Sequence, residues 1–181
     1  GNMMAILDCA VVINNDAMLR TSQTAGASLV EAFKMADETL MKTVKGISEI
    51  VYVAGQINID FADLKTTISD SGRAVIGMGE AEGQNRATEA FEKAINSPLI
   101  DNGLNGARRV LMNIVCSDLL AGEYAIIGKN LEQIIGNDNA NIIIGVVDDP
   151  KSKGRIKVTV FATDFEQKQV PFGQNRRFST V

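Results

Sequence analysis

The sequence predicts a layered α+β domain, with helices packed on a mixed β-sheet and α/β as the neighbouring alternative. Two observations carry this expectation. Apolar runs of strand length are interleaved with segments whose apolar residues recur every three or four positions. A tight polar link, Asp148-Asp149-Pro150 to Gly154, joins the last two strand-like runs and predicts that they pair antiparallel.

Taken in order, Ala5 to Ile13 is an apolar run ended by turn chemistry at Asn14-Asn15-Asp16, and residues 20 to 27 are small and polar, a loop. Ser28 then suits a helix cap. Leu29, Phe33, Ala36, Leu40, Val44, Ile47 and Val51 follow at helical spacing and predict a helix of about seven turns. Val30, Met35, Met41 and Ile50 lie off that stripe, so the helix is expected to be covered on two sides. Further helices are expected at Asp63 to Ser71, Gln84 to Ile95 and Glu123 to Ile135, the second with Ala87, Ala90, Phe91 and Ala94 facing inward. Strands are expected at Arg73 to Met78, Arg109 to Val115, Ile142 to Val147 and Arg155 to Ala162. No internal repeat or low-complexity tract is evident.

Composition narrows the function. At 181 residues and 45% hydrophobic content the chain can bury a real core. A net charge of -4, a pI near 4.9 and no basic cluster beyond Arg176-Arg177 predict no nucleic-acid partner. The apolar runs are too short to span a bilayer and no signal peptide is visible, so a soluble cytoplasmic protein is expected. Cys9 and Cys116, far apart in strand-like runs, are expected as buried free thiols. The chain has no histidine, which removes Ser-His-Asp and Cys-His nucleophiles and most zinc sites; no metal site is expected. Gly1-Asn2 ahead of Met3-Met4 reads as a fusion scar, and the polar stretch from Gln167 to Val181 as a disordered linker.

The residues that look most like chemistry are Asn58-Ile59-Asp60-Phe61-Ala62-Asp63. Two carboxylates and an amide fall where one helical segment gives way to another. Asp60 would sit at the helix start, held by free backbone N–H groups, with Asp63 in the first turn and its oxygens near solvent. Such a pair can direct a water molecule. The same spacing is also close to a capping box, which needs no function. A rival motif is Gly77-Met78-Gly79-Glu80-Ala81-Glu82-Gly83, a strand followed by glycines and a helix. It departs from a dinucleotide fingerprint because Glu82 stands at the third glycine and two glutamates would repel a pyrophosphate. An ordinary glycine-rich turn is the plainer reading.

The order of these elements carries a resemblance. The strand ending Ile13-Asn14-Asn15-Asp16, the long helix with Glu31-Ala32-Phe33 and Asp37, the loop Gly55 to Asp63, the run Ser71 to Gly79, and Ala94-Ile95-Asn96-Ser97-Pro98-Leu99 together resemble the C-terminal half of FtsZ, the bacterial tubulin homologue of cell division. The likeness covers about residues 5 to 163. It implies a remnant of a GTP-binding domain at 1–27, a central connecting helix at 28–53, a C-terminal domain with the catalytic loop at 54–165, and a tail at 166–181. It also implies a filament-forming GTPase whose active site forms between subunits, working at the division ring. Asp60 and Asp63 would polarise the attacking water, Asn58 would shape the loop, and Phe33 and Asp37 would contact guanine. Phe33 as a plain core residue stays open on its place in the stripe. GTP, with Mg²⁺, would be held mainly by a domain these residues do not include, since no G-G-G-T-G-S-G loop is present. The implied partners are further copies of the same protein, head to tail, and other division proteins through a C-terminal peptide not recognisable by Val181. A stand-alone ligand-binding or regulatory domain is the other reading of the residues.

Overall fold

The computed structural model describes residues 7–11, 28–52, 57, 59–100 and 103–165. Five strands form one sheet: β1 (Cys9–Val11), β2 (Gly72–Glu82), β3 (Ala107–Val115), β4 (Asn141–Val147) and β5 (Arg155–Phe165), in the spatial order β1-β2-β5-β3-β4. β5 is antiparallel to β2 and β3, while β1 is parallel to β2 and β4 to β3, so the sheet is mixed. Among the described residues four α-helices pack with it: α1 (Leu29–Tyr52), α2 (Phe61–Ile68), α3 (Arg86–Ile95) and α4 (Ala121–Ile135). The α+β class is as expected, and the helices and strands fall within a few residues of their expected places. Of the expected first strand, Cys9–Val11 is strand and Leu7 and Asp8 lie just before it, while residues 5–6 and 12–13 lie outside the described residues, as does the tail from Gln167.

The last two strands do not pair with each other, contrary to expectation. β5 takes the centre of the sheet because Ile156, Val158, Val160 and Ala162 are wholly buried and it bonds a neighbour on each side. β4 lies beyond β3, so the polar link, with a 3₁₀ turn at Pro150–Ser152, carries the chain past the end of β3 rather than through a hairpin. A short polar link fixes a reversal of direction; it does not fix adjacency.

Pleating divides the core in two. Val75, Val110, Met112, Ile114, Val158 and Val160 face α3 and α4, packing against Ala90, Phe91, Ile127 and Leu131. Ala74, Ile76 and Phe161 face the other way, against Ile47 of α1, and Leu111 packs with Ile59 and Leu64 of the α2 region. Each large side chain fully buried here contributes roughly 1.5–3 kcal/mol.

The glycines of the rival motif lie inside β2, which continues to Glu82 rather than ending at Met78. A Cβ on Gly77 would stand 2.0 Å from the Ala94 carbonyl oxygen, and one on Gly79 would stand 2.0 Å from that of Ala90. The backbone of α3 lies directly on the strand at these two positions, which accounts for both glycines by packing alone. Gly83, at φ 94°, makes the turn into α3.

Ser28 caps α1 as expected. The Glu31 N–H donates to Ser28 Oγ at 3.3 Å while the Ser28 N–H and Oγ–H donate to Glu31 Oε2 at 2.8 and 2.7 Å. Gly46 and Ile47 of α1 lie against the sheet, but Val30, Met41 and Val44 are exposed, so only one side of the helix is covered among the described residues. Both cysteines are free; Cys116 is buried, whereas Cys9 is only partly so, because β1 is an edge strand.

Candidate functional site

The acidic loop is held from three directions. Ile57 makes a β-bridge to Val146 on the outer edge of β4, its N–H donating to the Val146 oxygen at 3.2 Å and its oxygen accepting the Val146 N–H at 2.9 Å. Ile59 is buried against Leu64 and Leu111, and it fills the notch left by Gly145, where a Cβ would stand 2.6 Å from Ile59 Cγ1. Asp60 then caps α2. The Asp63 N–H donates to Asp60 Oδ1 at 2.7 Å and the Asp60 N–H to Asp63 Oδ2 at 3.4 Å, a reciprocal capping box.

The capping expectation for Asp60 and Asp63 therefore holds, and it leaves their chemistry intact. Capping occupies one oxygen of each carboxylate, and the second oxygen of each carries no capping bond. Asp60 is exposed and Asp63 partly so, while Phe61 beside them is 70% exposed. Two carboxylates fixed by backbone N–H groups at a helix start, facing solvent, can accept hydrogen bonds from a water molecule and orient it. Asn58 lies outside the described residues.

Phe33 and Asp37 occupy successive turns of α1, one helical face, and both are exposed, Phe33 at 49%. The core reading of Phe33 is thereby corrected: the apolar stripe runs on past the part of the helix that the sheet covers. Asp37 and Tyr52 are separated by about 22 Å of helix, and the acidic loop follows only after that. The chain thus carries two exposed polar regions toward opposite ends of α1.

Two arrangements were not foreseen. Arg109, read only as the start of a strand, donates from β3 to the C-terminal carbonyls of α2. Arg86, 7% exposed, forms a fork to Glu123, with Nε to Oε1 at 2.7 Å and Nη2 to Oε2 at 3.0 Å. It also donates from Nη1 to Asp118 Oδ1 at 2.8 Å and from Nη2 to the Asp118 oxygen at 2.9 Å. Asp118 accepts in addition from Cys116 Sγ and the Gly154 N–H. The cluster ties α3, the β3–α4 loop and the turn before β5 together. Hydrogen bonds from Arg86 hold the Glu123 carboxyl below its ordinary range, and Asp118 is lowered by Cys116 and then Arg86. Burial pushes the Cys116 thiol up, away from the reactive thiolate. This is structural stapling, since every charged group in it already has a partner. A charge pair at sequence separations of 32 and 37 leaves no periodic trace by which it could have been found. The depression bordered by Glu80, Glu82, Glu89, Lys93 and Arg155 is ion-paired through Arg155 to Glu80 at 2.8 Å and offers no phosphate cradle.

A family model described as the C-terminal domain of the FtsZ family matches residues 72–166. The cell division protein FtsZ of Azotobacter vinelandii is 44% identical over 159 residues, covering 87% of this chain and 40% of that protein. The corresponding protein of Rickettsia bellii is 37% identical over 172 residues, covering 94% and 37%. The chain thus spans about two-fifths of the length of the curated relatives it matches. Among solved structures, an empty FtsZ dimer from M. jannaschii superposes with a TM-score of 0.78 at 34% identity, covering 89% of this chain and 46% of that one. CetZ2 from Haloferax volcanii, at 18% identity and a TM-score of 0.64 over 90% of this chain and 48% of that one, shares the fold.

Proposed function

The chain belongs to the FtsZ family, and on that footing we propose that it is the C-terminal part of a filament-forming cell-division GTPase, whose acidic loop activates hydrolysis of GTP held by the neighbouring subunit. In this reading residues 1–27 end a GTP-binding domain, 28–53 connect it to the C-terminal domain at 54–165, and 166–181 form a linker. The protein works in the cytoplasm at the division ring, assembling head to tail with further copies of itself. No described helix is long and apolar enough to cross a membrane.

The observation that carries the proposal is the loop itself. Asp60 and Asp63 are fixed by the capping box, by Ile59 in the Gly145 notch and by the bridge to β4, yet Asp60 is exposed and Asp63 partly so. A positioned, pre-formed acidic pair that faces outward is half of an active site. When a nucleotide end of another subunit docks there, the carboxylates accept hydrogen bonds from a water and set it in line with the terminal phosphate. No covalent intermediate on the protein is needed. Asn58 supports the loop.

Asp37 and Phe33 suit the base of a guanine nucleotide: an exposed carboxylate can accept its two N–H donors, and an exposed ring one turn away can pack on its face. Their separation from the acidic loop along α1 favours two different nucleotides being served by one chain. Mg²⁺ would accompany the phosphates and neutralise their charge; the described residues include no cluster of three or more metal-ligating side chains.

The test is turnover in the full-length protein carrying Asp60→Asn or Asp63→Asn. GTP binding should be kept while hydrolysis falls by about 100-fold, the scale of losing a group that positions the nucleophile. Unchanged turnover in both variants would leave the loop as a cap alone.

A further inference from the structure

We infer that Arg109 is a positioning residue for the acidic loop, acting by clamping the C-terminal end of α2 to the sheet; this rests on the hydrolytic role proposed for Asp60 and Asp63. α2 has eight residues, of which only Leu64 and Thr67 are buried. A helix of two turns has little stability of its own, so its attachments set its position.

At its C-terminal end every carbonyl from residue 65 to 69 has a partner. Two are satisfied locally: Lys65 by the Ser69 N–H, and Ile68 by the Ser71 N–H and hydroxyl. The other three are held by the sheet. Arg109 Nη1 donates to the Thr66 and Ser69 oxygens, each at 2.8 Å, and Thr163 Oγ1 donates to the Thr67 oxygen at 2.9 Å. A cation at the last turn also matches the negative end of the helix dipole. The guanidinium is itself fixed by Asp164, whose Oδ2 lies 3.4 Å from Nε. Asp164 adopts φ 53°, a left-handed conformation unusual for a residue other than glycine, and there its carboxylate meets Arg109.

The consequence is mechanical. Asp60 lies about 6 Å along the axis from Leu64, so a rocking of about ten degrees about that contact moves the carboxylates by about 1 Å. A displacement of that size is enough to degrade an aligned nucleophile. Without Arg109, the Thr66 and Ser69 carbonyls turn to water, and that end keeps the Thr163 hydrogen bond and the packing of Ile68. The helix keeps its hydrophobic contact through Leu64 and can pivot about it.

The experiment is steady-state GTP turnover and amide hydrogen exchange of the full-length protein carrying Arg109→Ala, Arg109→Lys and, as reference, Asp60→Asn. Arg109→Ala should lower kcat about tenfold with KM for GTP unchanged, while exchange quickens only across Phe61–Ile68. Arg109→Lys, with one ammonium for the two carbonyls, should recover part of the loss. Should Arg109→Ala not fold, Arg109→Gln keeps the aliphatic stem and a single donor group and should show the same pattern in smaller measure. Two results would overturn the clamp while Asp60→Asn stays impaired: unchanged kcat in Arg109→Ala, or a loss whose faster exchange spreads through β3 and β5. Full turnover in Asp60→Asn would instead overturn the hydrolytic reading, and this inference with it.

Discussion

Asp60 accepts the Asp63 N–H at 2.7 Å and, in the proposed reaction, directs water; the first task needs only an acceptor, the second a negative charge. Substitutions can separate them. Asp60→Ala loses both and should cost about 1 kcal/mol in urea unfolding of the chain, whereas Asp60→Asn keeps an equally good cap and should stay within a few tenths. Equal destabilisation by the two would show that charge rather than the cap bond holds the helix start. The D-x-x-D spacing made this cap legible in the sequence, because capping is local. The parts that orient the loop were not, because Ile59 meets Gly145, and Arg109 meets α2, across separations that only the folded sheet closes; Arg109 lies 43 positions from Thr66. Glu123 gives a second test at this scale. Its carboxyl is held below its ordinary value of 4.5 by Arg86 in the folded chain, so folding favours the ionised form. That contribution is complete above about pH 4.5 and is lost as pH falls through the depressed folded value. Thermal melts of Glu123→Gln should therefore fall less steeply below pH 4.5 than those of the unaltered chain; parallel acid limbs would contradict the assignment.

Glycines separate two kinds of element contact. At Gly79 a Cβ would meet the Ala90 oxygen at 2.0 Å and the Ala94 nitrogen at 2.5 Å, both backbone atoms that cannot swing away. Gly79→Ala must push α3 off the sheet and should cost about 3 kcal/mol or more in chemical denaturation. Gly122, in the first turn of α4, has nothing within 4 Å of an added Cβ, and Gly122→Ala should stabilise by roughly 0.5–1 kcal/mol. Similar effects of the two would refute the packing assigned to Gly79. The sequence offered Gly77 and Gly79 as a turn, since glycine punctuates loops far more often than it admits a helix backbone. The pairing of β4 with β5 was misread for a related reason: local turn chemistry reports a reversal, while the choice of neighbour is made by burial. β5 is central because its residues are buried on both faces, a property of the finished sheet. The inward face of α3 was legible, since Ala87, Ala90, Phe91 and Ala94 follow the helical period and all are buried.

Across the whole molecule, on the proposed reading, the acidic loop and the exposed Phe33–Asp37 face serve different junctions of the filament, and a single chain would supply half of each active site. Α1 shows the same incompleteness, with Val30, Met41 and Val44 exposed on the side away from the sheet. The long helix and the mixed sheet were readable from periodicity; the one-sidedness of the helix cover was not, because apolar residues record that a face is covered somewhere, not by which part of the assembly. The central claim is that the loop of one subunit acts on the nucleotide of the next. The most direct measurement mixes two full-length variants, Asp60→Asn and Asp37→Ala, each with hydrolysis strongly reduced alone, at GTP concentrations where both assemble. In a random equimolar filament about a quarter of the junctions join an intact loop to an intact base site, so the mixture should recover about a quarter of unaltered turnover. A mixture no more active than the mean of its two components would contradict the account.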